Sequence, residues 1–80
     1  MKRIAIIGIF IYDASAVSTV NALLHEFAEI IVARMGLPYR ERGVNVITLI
    51  ADGNNDEIGS LSGKLGQIRD VAVKTSYAKQ

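Results

Sequence analysis

Hydrophobic periodicity along this 80-residue chain alternates between that of strands and that of helices, in an order that few folds accommodate. Residues 3–12 are a β-branched run of strand length, which predicts a first strand. Asp13 then offers an N-cap, and apolar side chains at helical spacing predict a helix over residues 14–28. Residues 29–35 turn β-branched again, and residues 36–43 have the composition of a polar hairpin loop.

The second half of the chain continues in the order strand, helix, strand. Residues 44–51 form the third predicted strand. Asn54 can cap a second helix, and Glu57 three residues later completes a variant of the capping box. This helix is predicted to end just before Gly66, which we expect in the left-handed conformation of a helix C-terminus. Residues 71–77 alternate as the fourth strand.

The order strand, helix, strand, strand, helix, strand is the split βαβ arrangement of ferredoxin-like domains. This α+β fold places two helices on one face of a four-stranded antiparallel sheet. Half of the residues are apolar, mostly Ile, Val, Leu and Ala, so one efficient core is possible at this length. We therefore expect residues 1–80 to form a single ferredoxin-like domain.

The face of the sheet without helices is predicted to be apolar as well. Side chains on both sides of the first and third strands, the central pair in this topology, are mainly aliphatic. We expect Ile7, Ile9, Ile47 and Leu49, or their counterparts on the other side of the same strands, to form an exposed patch in a monomer. Such patches usually mark an interface, so we predict a homo-oligomer, either a dimer or a tetramer. The alternative is that loops or the terminal tail cover the patch.

Composition excludes several classes of function. The formal net charge is +1, and the 9 basic residues form no block, so direct nucleic-acid binding is not expected. The absence of cysteine excludes disulfides, thiolate metal sites and a cysteine nucleophile. His25 is the only histidine and lies off the apolar stripe of its helix, so we expect neither a metal nor a cofactor. No apolar run is long enough to span a membrane.

The N-terminus imitates a secretory signal. Two basic residues precede the first apolar run, and Ala14-Ser15-Ala16 resembles a cleavage site. We interpret the run as a buried first strand, because cleavage would remove a strand that the fold needs and because Asp13 lies close to the supposed cut. On this interpretation the protein is expected in the cytoplasm.

Two segments could bind a ligand. Tyr12, Asp13 and Ser15 place polar groups beside the free N–H groups of a helix start, which suits an anion, although a simple cap is the alternative. The segment from Gly59 to Gly66 is not a phosphate-binding P-loop, because its spacing is one residue short and Leu follows Lys64.

Glycine is costly inside a helix, so the glycines of this second segment need a reason. Gly59 and Gly63 lie one turn apart and would let another backbone approach, either the sheet or a neighbouring subunit. They could also cradle a ligand beside Ser62. No nucleophile paired with a base is visible anywhere in the chain, so the sequence does not indicate an enzyme.

Four segments together resemble one known family, that of regulators of the iron-only hydrogenase system: residues 21–27, 34–38, 56–68 and 71–75. The most specific is Asp56-Glu57-Ile58-Gly59-Ser60-Leu61-Ser62-Gly63-Lys64-Leu65-Gly66-Gln67-Ile68. The resemblance implies an ACT-type ferredoxin-like domain, similar to the C-terminal sensing domain of nickel-responsive repressors. Domains of that kind assemble through their sheets and bind small ligands or metal at subunit junctions.

Two features of those repressors have no counterpart. Because the first strand is predicted to begin at residue 3, we expect no ribbon–helix–helix arm, and His25 stands alone where a nickel site needs several ligands. The resemblance therefore implies a sensing module that acts through a small-molecule effector or a protein partner. The alternative is a structural oligomerisation domain without a ligand.

Overall fold

The computed structural model describes residues 1–79 and confirms the ferredoxin-like order of elements. Four strands form one antiparallel sheet in the order β2-β3-β1-β4: β1 (Arg3–Ile11), β2 (Ile31–Tyr39), β3 (Val44–Gly53) and β4 (Val71–Tyr77). Two helices connect them: α1 (Val17–Glu26) between β1 and β2, and α2 (Asn55–Gly66) between β3 and β4. The apolar run of the segment that imitates a secretory signal forms β1, one of the two central strands, and Ala14-Ser15-Ala16 forms a 3₁₀ turn after it.

The core lies between the two helices and one face of the sheet. Val20 and Leu24 of α1 are fully buried, as are Ile58, Leu61 and Leu65 of α2. They pack on alternate side chains of the two central strands, which are Ala5, Ile7, Ile9, Ile11, Ile47, Leu49 and Ala51. Burial of these aliphatic groups is the main force that holds the helices on the sheet. The helices leave the opposite side of the sheet bare, and we call that side the open face.

The predicted interface residues lie on the wrong side of the sheet. Ile7, Ile9 and Leu49 are 0% exposed and Ile47 is 6% exposed, because all four point towards the helices. In the β1–β3 ladder Ile7 lies opposite Leu49 and Ile9 opposite Ile47, so the four form one cluster in the core. The prediction that they line an interface is therefore wrong, and their counterparts on the same strands form the open face.

Strand β2 is longer than predicted and begins later. It starts at Ile31, because residues 28–30 form a turn of 3₁₀ helix, and it continues through Pro38 to Tyr39. Proline lacks the N–H that a central strand needs, but β2 is an edge strand, where this loss is tolerated. Likewise α1 begins at Val17 because residues 14–16 form a 3₁₀ turn.

The start of α2 follows the prediction and its end does not. The Glu57 N–H donates to Asn54 Oδ1 over 2.8 Å, and the Asn54 N–H donates to Glu57 Oε1 over 2.9 Å, which completes the capping box. Gly66 is the last residue of the helix and is not left-handed. The positive φ before β4 belongs instead to Asp70, at 63°. Aspartate tolerates this conformation better than most residues.

Candidate functional site

Strand pairing identifies the side chains of the open face. Residues directly opposite each other in an antiparallel pair point to the same side, so the set can be followed across all four strands. It comprises Ile4, Ile6, Gly8, Phe10, Ala33, Met35, Leu37, Tyr39, Val44, Val46, Thr48, Ile50, Asp52, Ala72, Lys74 and Ser76. Asp52 and Lys74 are its charged members. The face is therefore apolar across the three strands β2, β3 and β1.

Most large apolar side chains of the open face are strongly exposed. The exposed fraction is 41% at Ile50, 53% at Ile6 and 67% at Met35, whereas Phe10 and the valines of the face are half-buried. Ile6 lies opposite Ile50, and Leu37 lies opposite Val46, so these groups form one continuous patch. Soluble monomers rarely expose a contiguous apolar patch of this kind, which usually marks an interaction surface.

Gly8 lies in the middle of the open face. A Cβ placed there would meet the Lys74 carbonyl oxygen and Phe10 Cε2, each at 3.9 Å, which is ordinary contact. Packing within the chain thus does not require glycine at this position. Glycine in a strand interior often marks a place where another backbone approaches closely. Gly8 is consistent with an open face that a partner covers.

Tyr12 belongs to one end of this face and not to a helix-start pocket. Its side chain is 59% exposed, and it lines a shallow groove of about 280 Å³ with Phe10, Tyr39, Arg42 and neighbouring valines. The Tyr12 N–H donates to the Asp70 carbonyl oxygen over 2.8 Å, which fixes the backbone at this position.

Asp13 and Ser15 form a cap. The Ser15 N–H donates to Asp13 Oδ1 over 3.0 Å, and the Ala16 N–H donates to the Asp13 carbonyl oxygen over 2.9 Å. The hydrogen bonds from Ser15 hold the pKa of the Asp13 carboxyl below its usual value, so it is charged near neutral pH. An incoming anion would meet this carboxylate and occupied donors, which favours the cap over an anion site.

Gly59, Ser62 and Gly63 lie on α2, away from the Asp13 turn. The Ser62 hydroxyl lies 2.8 Å from Thr75 Oγ1 in a partly buried hydrogen bond, so Ser62 joins α2 to β4. Gly59 and Gly63 are exposed, and a Cβ added at either would meet no atom within 4 Å. Packing on the chain's own sheet therefore does not explain these two glycines.

Substitution of these glycines shows whether anything else contacts them. Because the space is open, Gly59→Ala and Gly63→Ala should each stabilise the fold by up to about 1 kcal/mol, the difference in helix propensity. The measurement is the free energy of unfolding in urea. Gly43→Ala is the control and should destabilise, since Gly43 has a φ of 65°. A lower stability or a smaller oligomer in the helix variants would instead indicate a partner or ligand on α2.

A groove between α1 and β2 was not predicted from the sequence. It has a volume of about 520 Å³, and its polar lining consists of Asn21, His25 and Arg34. Arg34 Nη2 donates to Asn21 Oδ1 over 3.0 Å, which joins β2 to α1. The spacing of Asn21 and His25, four residues apart on one helix, is the sequence signal that places both on one side of α1.

Residues 1–79 contain neither a cluster of metal-ligating side chains nor a helix that could span a membrane. In that part of the chain no three His, Asp or Glu side chains lie close enough together to hold a metal ion. None of the helices there is both long and apolar enough to cross a membrane. His25 is exposed at the wall of the α1–β2 groove.

Sequence comparison identifies one family. A model of the TM1266-like family, described as "Iron-only hydrogenase system regulator, putative", matches residues 3–75. The uncharacterized protein TM1266 from Thermotoga maritima is 46% identical, and its structure superposes with a TM-score of 0.94 over 99% of this chain and 100% of that one. No curated protein sequence matches the chain.

More distant structures share the fold alone. A formyltetrahydrofolate deformylase from Pseudomonas putida KT2440 is 13% identical, with a TM-score of 0.65 over 91% of this chain and 28% of the enzyme. A homoserine dehydrogenase from Thiobacillus denitrificans is 14% identical, with a TM-score of 0.63 over 96% of this chain and 17% of the enzyme. The chain therefore matches one part of each larger protein, and these similarities support the ferredoxin-like fold.

Proposed function

Because the chain belongs to the TM1266-like family, we propose that it acts as a regulatory module of the iron-only hydrogenase system and not as an enzyme. The proposed module works as a homo-oligomer and responds to a small-molecule effector or a protein partner. The observation that carries the proposal is the apolar open face, which needs a covering surface. Membership of the family supports the regulatory role, and the exposed apolar residues of the open face support the formation of a homo-oligomer.

Two copies of the chain can cover each other's open faces. A symmetric dimer buries the same patch on both subunits, so one apolar surface serves as its own partner. Two sheets that pack face to face lie about 10 Å apart with interdigitating side chains. Exposed Ile4, Ile6 and Ile50 would then meet apolar groups of the second copy, and Gly8 would allow close approach. A dimer is the simplest assembly, and a tetramer would pair two dimers.

The open face lacks the positive charge that direct DNA binding would require. Positively charged side chains that contact phosphates supply most non-specific DNA affinity. The open face carries Lys74 and Asp52, whose charges cancel, and the whole chain has a net charge of +1. An effect on transcription would therefore pass through a partner protein.

Thermal-shift measurements on the oligomer test the sensing part of the proposal. Amino acids, nucleotides, organic acids and divalent metal ions form the panel. An effector at 100 times its dissociation constant stabilises the folded state by about 2.7 kcal/mol, which should raise Tm by roughly 10 °C or more for a domain of this size. The second candidate function, a purely structural oligomerisation module, is favoured by the open face alone and predicts an unchanged Tm with every compound.

A further inference from the structure

The groove between α1 and β2 has the dimensions of a ligand site. Its volume of about 520 Å³ lies within the range of roughly 300–1,000 Å³ that small-molecule sites occupy. A second depression of about 260 Å³ continues along β2 and shares Asn21 and Arg34 with the first. Arg34 thus lies in the wall common to both. The groove is on the helix side of the sheet, so a dimer formed through the open face leaves it accessible.

Arg34 is an exposed side chain that makes one hydrogen bond and still has free hydrogen-bonding capacity. Its bond to Asn21 uses one of the five N–H donors of the guanidinium. Over residues 1–79 no carboxylate forms an ion pair with Arg34, since the ion pairs in that stretch involve Lys64 and Arg69. The remaining N–H donors of the guanidinium match the geometry of a carboxylate, which can accept two parallel hydrogen bonds from them.

The other residues of the groove indicate which chemical groups a ligand could carry besides a carboxylate. None of the described residues that line the two depressions is Asp or Glu. Beside Arg34 the accessible aliphatic side chains are Ile31, which is half-buried, and Val32, which is 66% exposed, whereas Leu24 beneath them belongs to the core. His25 adds a further polar group at the rim. The groove therefore combines one positive side chain with a surface that is partly aliphatic and partly polar.

We propose that this groove binds a small organic carboxylate with a short aliphatic chain. The carboxylate lies on Arg34, and the aliphatic chain lies against Ile31 and Val32. This inference rests on the proposed effector-sensing function and names the class and the site of the effector.

Isovalerate and isovaleramide are the probes for this site, since they share one branched chain and differ in charge. Each is titrated into the full chain while backbone amide signals are recorded by NMR. Isovalerate should shift the signals of Asn21, His25 and Arg34 saturably, and isovaleramide should bind much more weakly. Arg34→Gln should weaken isovalerate binding roughly tenfold or more. Arg69→Gln, which removes an equal charge from a side chain that is 96% exposed, should leave it unchanged.

The outcomes separate this inference from the function on which it rests. Equal affinity of isovalerate for Arg34→Gln and the parent chain, or shifts centred on α2, would overturn the groove as the site. No saturable shift with isovalerate or with the longer hexanoate would overturn the carboxylate class. In both cases an effector found in the thermal-shift panel would still support the proposed function, whereas an unchanged Tm throughout would reject effector sensing itself.

Discussion

Replacing Ile6 by glutamate is expected to convert the proposed homo-oligomer into a folded monomer. Ile6 is 53% exposed within one chain, so a glutamate there keeps its carboxylate in water when the chain is alone. In a symmetric dimer the same substitution occurs on both subunits and places two charges in an apolar interface. Each buried unpaired charge costs about 3 kcal/mol or more, so the two together should raise the dissociation constant by roughly 10,000-fold or more.

Sedimentation velocity measures the mass change, and circular dichroism shows that the Ile6→Glu chain keeps its fold. Lys64→Gln is the control, since it removes a charge from an exposed residue of α2 and should leave the oligomer intact. An Ile6→Glu chain that is folded and still has the mass of the parent oligomer would show that the open face is not the interface.

Replacing Ile7, the next residue of the same strand, is expected to unfold the chain. Ile7 is 0% exposed and lies opposite Leu49 beneath the helices. Ile7→Glu loses the packing of a buried isoleucine, about 2–5 kcal/mol, and adds the cost of an unpaired buried carboxylate, about 3–5 kcal/mol. The sum approaches the total stability of a small domain, about 5–15 kcal/mol.

The measurement for Ile7→Glu is the loss of the cooperative thermal transition and of helical circular dichroism. Ile50→Glu and Leu49→Glu repeat the comparison on β3, because Ile50 is 41% exposed and Leu49 is 0% exposed. A folded Ile7→Glu chain combined with an unfolded Ile6→Glu chain would mean that the two faces of the sheet are assigned the wrong way round.

The order of elements could be predicted from the sequence because local signals agree with the tertiary fold. The capping pair Asn54 and Glu57 marks the start of α2, and the residues from Ile58 to Leu65 keep a helical period that the core then uses. The ends of elements were less predictable. Pro38 by itself indicates the end of a strand, because proline has no N–H to donate. The strand continues because β2 lies at the edge of the sheet, where this loss is tolerated.

The period of two in β1 separates its side chains into two sets but does not show which set faces the helices. Both sets are mainly aliphatic, so their hydrophobicity alone does not predict which set faces the helices. The useful signal is the polar and small content of one set: Gly8 and Thr48 lie opposite each other on the open face, whereas Ile7 and Leu49 form a fully apolar pair. The set of side chains with fewer glycine and polar residues faces the helices and forms the core.

The α1–β2 groove could not be predicted because its parts are distant in sequence and ordinary in composition. Arg34 meets Asn21 only when β2 pairs with β3 and α1 packs on the core. The ligand residues predicted at Asp13 and Ser15 are instead satisfied by each other. Polar side chains near a helix start indicate a cap more often than a site, since the first N–H groups of a helix need partners in any fold.

The solution mass of the unmodified chain tests the central claim, that the open face is buried between copies. Multi-angle light scattering at micromolar concentration measures it directly. We expect a mass of twice or four times the 8.7 kDa of one chain. A mass of one chain across the micromolar range would contradict it, because the apolar face of β1, β2 and β3 would then remain exposed to water.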